Sequence, residues 1–106
     1  MPKPPSSWKA FELWVCRWWP QGQRRGADYG DEYVDGKNDC VHTPGFSVEV
    51  KFGKQMGYRK MVNACIQAEK AAEQNELPIA IVKQSGADRE DTLVVMRQQT
   101  FREWFI

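Results

Sequence analysis

The chain has 106 residues, a formal net charge of +1, three cysteines and five tryptophans. This length predicts a single domain, spanning residues 1–106, around one modest hydrophobic core. The near-neutral charge excludes a uniformly basic nucleic-acid-binding protein, and no run approaches the roughly 20 apolar residues that a membrane span needs.

The N-terminal segment, residues 1–6, is proline-rich and is predicted to be disordered. It lacks the apolar run of a secretory signal. Cys16, Cys40 and Cys65 are odd in number and widely spaced, which disfavours both a zinc site and a disulfide framework. We therefore expect a reducing, cytoplasmic location, which would be the host cytoplasm for a viral protein.

A first helix is predicted from Ser6 or Ser7, which can cap it, to Pro20 and Gly22, which end it. Its apolar stripe places Glu12 at the centre of Trp8, Phe11, Val15 and Trp19. The other side is also apolar, through Leu13, Trp14, Cys16 and Trp18. A helix apolar on most sides predicts a homodimer through this helix, with Trp14 or Trp18 buried between chains and Trp104 and Phe105 as additions.

Residues 20–38 are predicted to form a loop with at most one strand, near residues 23–26. A short strand over residues 39–42 ends at the turn Thr43-Pro44-Gly45. Residues 46–52 form the clearest strand, because apolar and polar residues alternate. One face carries Phe46, Val48, Val50 and Phe52, and the other carries Ser47, Glu49 and Lys51.

A long helix is predicted from about Tyr58 to Asn75, followed by a buried strand over residues 77–83. A polar turn, a partner strand over residues 92–97 and a short helix complete the chain, with Thr100 and Glu103 as a capping box for that helix. The order α-β-β-β-α-β-β-α predicts an α/β fold in which helices flank one central mixed sheet.

Glu49 and Lys51 should emerge on one strand face, roughly 7 Å apart. Because the other face is apolar, this strand should lie near the middle of the sheet, where covered charges need partners. The turn before it can bring Asp39 beside Glu49. Two carboxylates beside a lysine suit Mg²⁺-dependent phosphodiester hydrolysis. A Glu-x-Lys triplet alone is more often a solvated ion pair, and only its grouping with Asp39 and Glu12 favours a site.

Asp39 followed by Phe46-Ser47-Val48-Glu49-Val50-Lys51 resembles the signature of the PD-(D/E)XK nuclease superfamily. More narrowly, residues from about Lys9 to Met96 resemble the small phage and archaeal Holliday-junction-resolvase-like endonucleases, which implies a restriction-endonuclease-like core. Supporting segments are Phe11-Glu12, Asp39-Cys40-Val41-His42, Gln67-Ala68-Glu69 and Thr92-Leu93-Val94-Val95. The chain departs from the signature at Asn38, where the signature has proline.

The resemblance implies a role for each matching residue. Asp39, Glu49 and the backbone carbonyl of Val50 would hold Mg²⁺, or Mn²⁺ as a substitute. Lys51 would be the catalytic lysine, Glu12 would complete or support the metal site, and Gln67 matches a helix glutamine near the site. Alternatives remain, because Glu12 can pair with Arg17 or Lys9 at the edge of the core and Gln67 can face solvent. The single histidine, His42, is predicted to be structural.

The resemblance implies DNA as the partner and a branched DNA, the four-way junction, as the substrate. Two symmetric cuts then require a two-fold dimer. Predicted phosphate contacts are the basic residues that flank the site, although these can equally be ordinary surface charge: Arg24, Arg25, Lys54, Arg59 and Lys60. The alternatives are a less selective duplex or single-strand nuclease, and a DNA-binding module with a vestigial site.

Overall fold

The computed structural model describes residues 7–25 and 37–106. The predictions for residues 1–6 and for the loop over residues 26–36 lie outside the described residues. The described elements are α1 (Ser7–Cys16), β1 (Gln23–Arg24), β2 (Cys40–Val41), β3 (Phe46–Gly53), α2 (Tyr58–Ala71), β4 (Leu77–Gln84), β5 (Leu93–Val95) and α3 (Gln98–Phe105). A single 3₁₀ turn at Arg89–Asp91 precedes β5.

The main sheet has three strands in the order β3-β4-β5 and is mixed. β3 and β4 run parallel, from the pair Phe46–Leu77 to the pair Gly53–Gln84, and β5 is antiparallel to β4. The helix α2 connects the two parallel strands, as such a pair requires. β1 and β2 form a separate antiparallel pair. The predicted α/β fold with a mixed sheet flanked by helices is confirmed.

The expected central position of β3 is wrong for the described strands, because β4 lies in the middle of the main sheet. The nearly continuous apolar run of β4 fits a strand with neighbours on both edges. At the other edge of β3, the Asp39 amide donates to the carbonyl of Val48 at 3.0 Å. The Asp39 segment therefore lies directly beside β3.

The core lies on both faces of the main sheet. On one face, Phe11 and Val15 of α1 pack with residues that include Val48, Val50 and Ile81. On the other face, Ala64 and Cys65 of α2 pack with Ala80 and Val82. The predicted alternation along β3 is confirmed, because Val48 and Val50 lie on the α1 face and Ser47 donates to the α2 carbonyl of Ala68.

Helix α1 ends earlier than predicted, at Cys16, and a turn follows it. The Gly22 amide donates to the Trp19 carbonyl at 2.9 Å. A Cβ atom at Gly22 would lie 1.8 Å from the carbonyl oxygen of Cys16, so only glycine permits this close return of the chain. The return places β1 against α1.

The expectation that the cysteines form no disulfide framework does not hold for one pair, because Cys16 and Cys40 form a disulfide across a Cα–Cα distance of 5.5 Å. Cys16 ends α1 and Cys40 begins β2, and β1 packs between these two parts of the fold. Residues distant in sequence are thus brought together by tertiary contacts. Cys65 remains a buried free cysteine. The cytoplasmic location, which rested on the cysteines, stays a prediction.

The predicted capping box at Thr100 is also wrong. Helix α3 begins at Gln98, so Thr100 lies inside it and is buried. The residue before the helix is Arg97, and its side chain forms an ion pair with Glu69 of α2. Arg97 Nε donates to Glu69 Oε2 at 2.8 Å. Helix α2 likewise ends at Ala71 rather than near Asn75. Within residues 7–25 and 37–106, none of the helices has the length and apolar character to cross a membrane.

Candidate active site

One cavity of about 270 Å³ gathers every residue predicted to be catalytic or metal-binding. It lies between α1, the Asp39 segment, β3 and α2. Its lining residues are Trp8, Glu12, Asp39, Glu49, Val50, Lys51, Phe52 and Gln67. Trp8 and Phe52 had no predicted site role. Trp8 lies one helical turn before Glu12 on the same stripe, and this spacing could have indicated it.

Hydrogen bonds to β3 fix the position of Asp39. Its backbone amide donates to the carbonyl of Val48 at 3.0 Å, and its Oδ2 accepts the amide of Val50 at 2.7 Å. The carboxylate thus accepts a backbone amide of β3 that would otherwise pair with a neighbouring strand. This contact places Asp39 beside Glu49, the residue between Val48 and Val50.

Glu49 and Lys51 form an ion pair on the same strand, with Oε1 and Nζ 3.3 Å apart. Burial is the main cause that raises the pKa of Glu49 to about 8, and the nearby Asp39 carboxyl adds to it. Burial likewise raises the pKa of Asp39. Two close carboxyl groups in a poorly solvated place do not readily carry two charges, so the charge of Asp39 opposes ionisation of Glu49 while Lys51 favours it.

Glu12 forms an ion pair with Arg24, whose Nε donates to Oε1 at 3.0 Å. Both side chains are nearly buried, at 12% and 11% exposure. Burial, followed by the charge of Asp39, raises the pKa of Glu12, and Arg24 opposes that rise. Sequence spacing had suggested Arg17 or Lys9 as the partner of Glu12. Both of these residues are exposed, and the observed partner is Arg24.

The chemistry of the cavity fits a hard divalent cation. Three poorly solvated acids, Glu12, Asp39 and Glu49, line it, and burial raises the pKa of each. A bound cation would offset the charge of these acids and favour their ionised forms. Among the described residues no three His, Cys, Asp or Glu side chains form a compact metal-binding group. Mg²⁺ commonly uses only one or two carboxylates and keeps several waters, so it does not need such a group.

The basic residues predicted to contact DNA fall into two groups. Arg24 and Arg25 point inward, because their guanidinium groups donate to Glu12 and to Asn38. The other three are exposed between the end of β3 and the first turn of α2: Lys54, Arg59 and Lys60. Gln67 lines the cavity from α2, and His42 lies outside the cavity lining at a φ of 60°.

The metal-free protein should lose stability as the pH rises from about 5 to about 8. Glu49 keeps its proton in the fold up to a pKa of about 8, whereas its ordinary value is 4.5. Stability present below pH 4.5 is therefore lost as the pH rises through 8, by on the order of 2–4 kcal/mol. Asp39 acts in the same direction.

Urea denaturation in EDTA at several pH values measures this effect. Glu49→Gln, which stays neutral, should flatten the loss, so the difference between the two proteins isolates the Glu49 contribution. Adding Mg²⁺ at pH 8 should restore stability to the wild type and not to Glu49→Gln. The pKa assignment is wrong if wild type and variant show the same pH dependence.

Comparisons of the chain with protein-family models, with curated proteins and with solved structures find no match.

Proposed function

We propose that this chain is a Mg²⁺-dependent endonuclease of the PD-(D/E)XK type, with a restriction-endonuclease-like core, that hydrolyses phosphodiester bonds in branched DNA. The observation that carries the proposal is the meeting of Asp39, Glu49 and Lys51 with Glu12 in one cavity. A solvated ion pair would account for Glu49 and Lys51 alone. It does not account for three acids that share one poorly solvated cavity at the edge of a sheet.

In this proposal the acids hold the cation and Lys51 acts on the reacting groups. Asp39, Glu49 and the Val50 carbonyl would bind Mg²⁺, with Glu12 in support. When bound, Mg²⁺ supplies positive charge against the phosphate and makes the attacking water more acidic. The ammonium group of Lys51 orients that water and stabilises negative charge that develops at the phosphate.

A cleavage assay on three DNAs tests the proposal. Purified protein is mixed with Mg²⁺ and with a labelled four-way junction, a matched linear duplex or a matched single strand. We expect paired cuts in the junction, no cleavage in EDTA and weaker cleavage of the other two DNAs. Equal cleavage of duplex or single strand would favour the less selective nuclease. DNA binding with no cleavage in either Mg²⁺ or Mn²⁺ would favour a vestigial site.

Paired cuts require two active sites, and we propose that a homodimer supplies them. Trp18 is 42% exposed, and half-buried Trp14 packs against Phe11 at a ring distance of 5.8 Å. Burying the exposed part of Trp18 from both chains stabilises an interface by several kcal/mol, at about 25 cal/mol per Å². Sedimentation should give twice the 12.3 kDa of one chain.

The substitution Trp18→Glu should shift the protein to monomer if the first helix forms the interface. Helix α3 exposes a second apolar surface, which includes Phe101 and Phe105 with rings 5.4 Å apart. Phe105→Glu is therefore the matched change on the other surface. Dissociation by Phe105→Glu alone would move the interface to α3. The proposed homodimer is contradicted if the wild type stays monomeric at high concentration, with and without DNA.

We expect DNA affinity to depend on Lys54 and Arg59, two exposed residues between the end of β3 and the first turn of α2. Each phosphate contact makes the slope of log affinity against log salt more negative by about 0.9. The double change Lys54→Ala with Arg59→Ala should therefore make that slope less negative by about 2. A matched control is Lys70→Ala with Arg102→Ala, which removes the same charge from exposed positions outside the cavity lining. Equal slopes for the two double variants would contradict the assignment.

A further inference from the structure

A relay of buried and partly buried hydrogen bonds lies outside the lining of the cavity and leads to the residue before Asp39. Arg25 donates to Asn38 twice, from Nε to the carbonyl oxygen at 2.8 Å and from Nη2 to Oδ1 at 2.9 Å. Asn38 Nδ2 donates to Ser47 Oγ at 3.4 Å, and that hydroxyl donates to the carbonyl of Ala68 at 2.8 Å. The relay therefore joins the end of β1, the residue before Asp39, β3 and α2.

The two central residues of the relay are enclosed, with Asn38 8% and Ser47 0% exposed. Neither lines the cavity. A buried polar group without a partner is costly, so a relay in which each central side chain has its partners strongly favours one arrangement of the chain. Asn38 and Ser47 can thus influence the cavity only through the residues next to them.

Asp39 is the residue through which the relay would act. Its carbonyl accepts the backbone amide of Arg25 at 2.9 Å, and its Oδ2 accepts the Val50 amide at 2.7 Å. Because Asn38 is bonded directly to Asp39, a shift of Asn38 moves the Asp39 carboxylate relative to β3. Misplacement of a reacting group by about 1 Å can cost on the order of 100-fold in rate.

We propose that Asn38 is a positioning residue, which together with Ser47 and Arg25 sets where the Asp39 carboxylate lies against β3. The effect of this positioning on metal binding rests on the proposed nuclease function. This role also differs from the predicted one for Arg25, because its guanidinium would act on Asn38 rather than on a DNA phosphate. Groups behind metal ligands typically change metal affinity by 10- to 100-fold.

The first measurement needs neither metal nor DNA. The Val50 amide donates to the Asp39 side chain, so its hydrogen-exchange rate reports directly on where that side chain lies. Asn38→Ala should raise this rate at least tenfold in the metal-free protein. The matched control is Thr43→Val, which removes a partly buried hydrogen bond of another buried side chain, from Thr43 Oγ1 to the Phe46 carbonyl at 3.1 Å. This control should lower stability, measured by urea denaturation, and raise the Val50 rate no further than that loss of stability explains.

The second measurement is Mn²⁺ binding by calorimetry, without DNA. Asn38→Ala should weaken binding by 10- to 100-fold, and Thr43→Val should not change it. Ser47→Ala removes a single oxygen from the relay and should give a smaller change in the same direction. This variant also keeps the proposal testable if Asn38→Ala fails to fold.

The two measurements separate this inference from the proposed function. The positioning role is supported if Asn38→Ala exchanges the Val50 amide faster than its loss of stability explains and binds Mn²⁺ more weakly, while Thr43→Val does neither. A wild type that binds no Mn²⁺ would defeat the nuclease proposal, and the Val50 exchange rate would still decide the role of Asn38. The positioning role is overturned if Val50 exchange is the same in Asn38→Ala, Ser47→Ala and wild type.

Discussion

Replacing Asp39 with asparagine should lower DNA cleavage by at least about 10³-fold while DNA binding stays nearly intact. In the wild type the Val50 amide donates to Asp39 Oδ2 at 2.7 Å. Asparagine has the same shape as aspartate, and its side-chain oxygen can accept the same hydrogen bond. The fold should therefore survive. The lost negative charge weakens cation binding, and it also removes repulsion between this carboxylate and a DNA phosphate.

Single-turnover cleavage and binding to the same DNA should be measured in parallel for wild type and variant. A matched control is Asp88→Asn, which removes one negative charge from an exposed position outside the cavity lining. That control should cleave like the wild type. The metal assignment fails if Asp39→Asn also cleaves at the wild-type rate when Mg²⁺ is limiting.

The local parts of the fold were predictable because periodicity reports which side of an element is covered. Alternation along residues 46–52 predicted correctly that Val48 and Val50 face a core while Glu49 and Lys51 share the other side. The apolar run of residues 77–83 similarly predicted a buried strand, which the structure places at the centre of the sheet.

The long-range parts were not predictable, because they depend on how separate elements pack. Sequence spacing suggested Arg17 or Lys9 as partners of Glu12, both within one or two helical turns. The observed partner, Arg24, reaches Glu12 only because the chain returns at Gly22 and places β1 against α1. The strand order of the sheet also depends on such packing, and β3 was therefore misplaced at its centre.

Asn38 illustrates the same limit for the site. In the sequence it is only a departure from a signature, one residue before Asp39. Its importance comes from Arg25 and Ser47, which are 13 and 9 residues away and meet it only in the folded chain. A residue that supports a site from behind carries no periodic signal and no charge, so neither pattern nor composition can identify it.

Removing the disulfide between Cys16 and Cys40 should lower the free energy of unfolding by about 3–4 kcal/mol. The bond joins residues 24 positions apart, and in the unfolded chain it restricts the conformations of that loop. Such a loss is a large part of the 5–15 kcal/mol that is typical of folded domains. The cross-link also lies close to the site, because Cys16 Sγ is 3.9 Å from the Asp39 carbonyl oxygen.

Urea denaturation with and without a reducing agent changes only this bond and should move the midpoint down by about 1–3 M. The double variant Cys16→Ala with Cys40→Ala should behave like the reduced wild type, and reduction should leave it unchanged. Cys65→Ala is the control, because Cys65 is a buried cysteine outside the disulfide. It should remain sensitive to reduction. Equal midpoints for oxidised and reduced wild type would mean that the bond does not stabilise this fold. In that event the packing of α1 in the core and the Arg24–Glu12 ion pair to β1 would hold Glu12 in place.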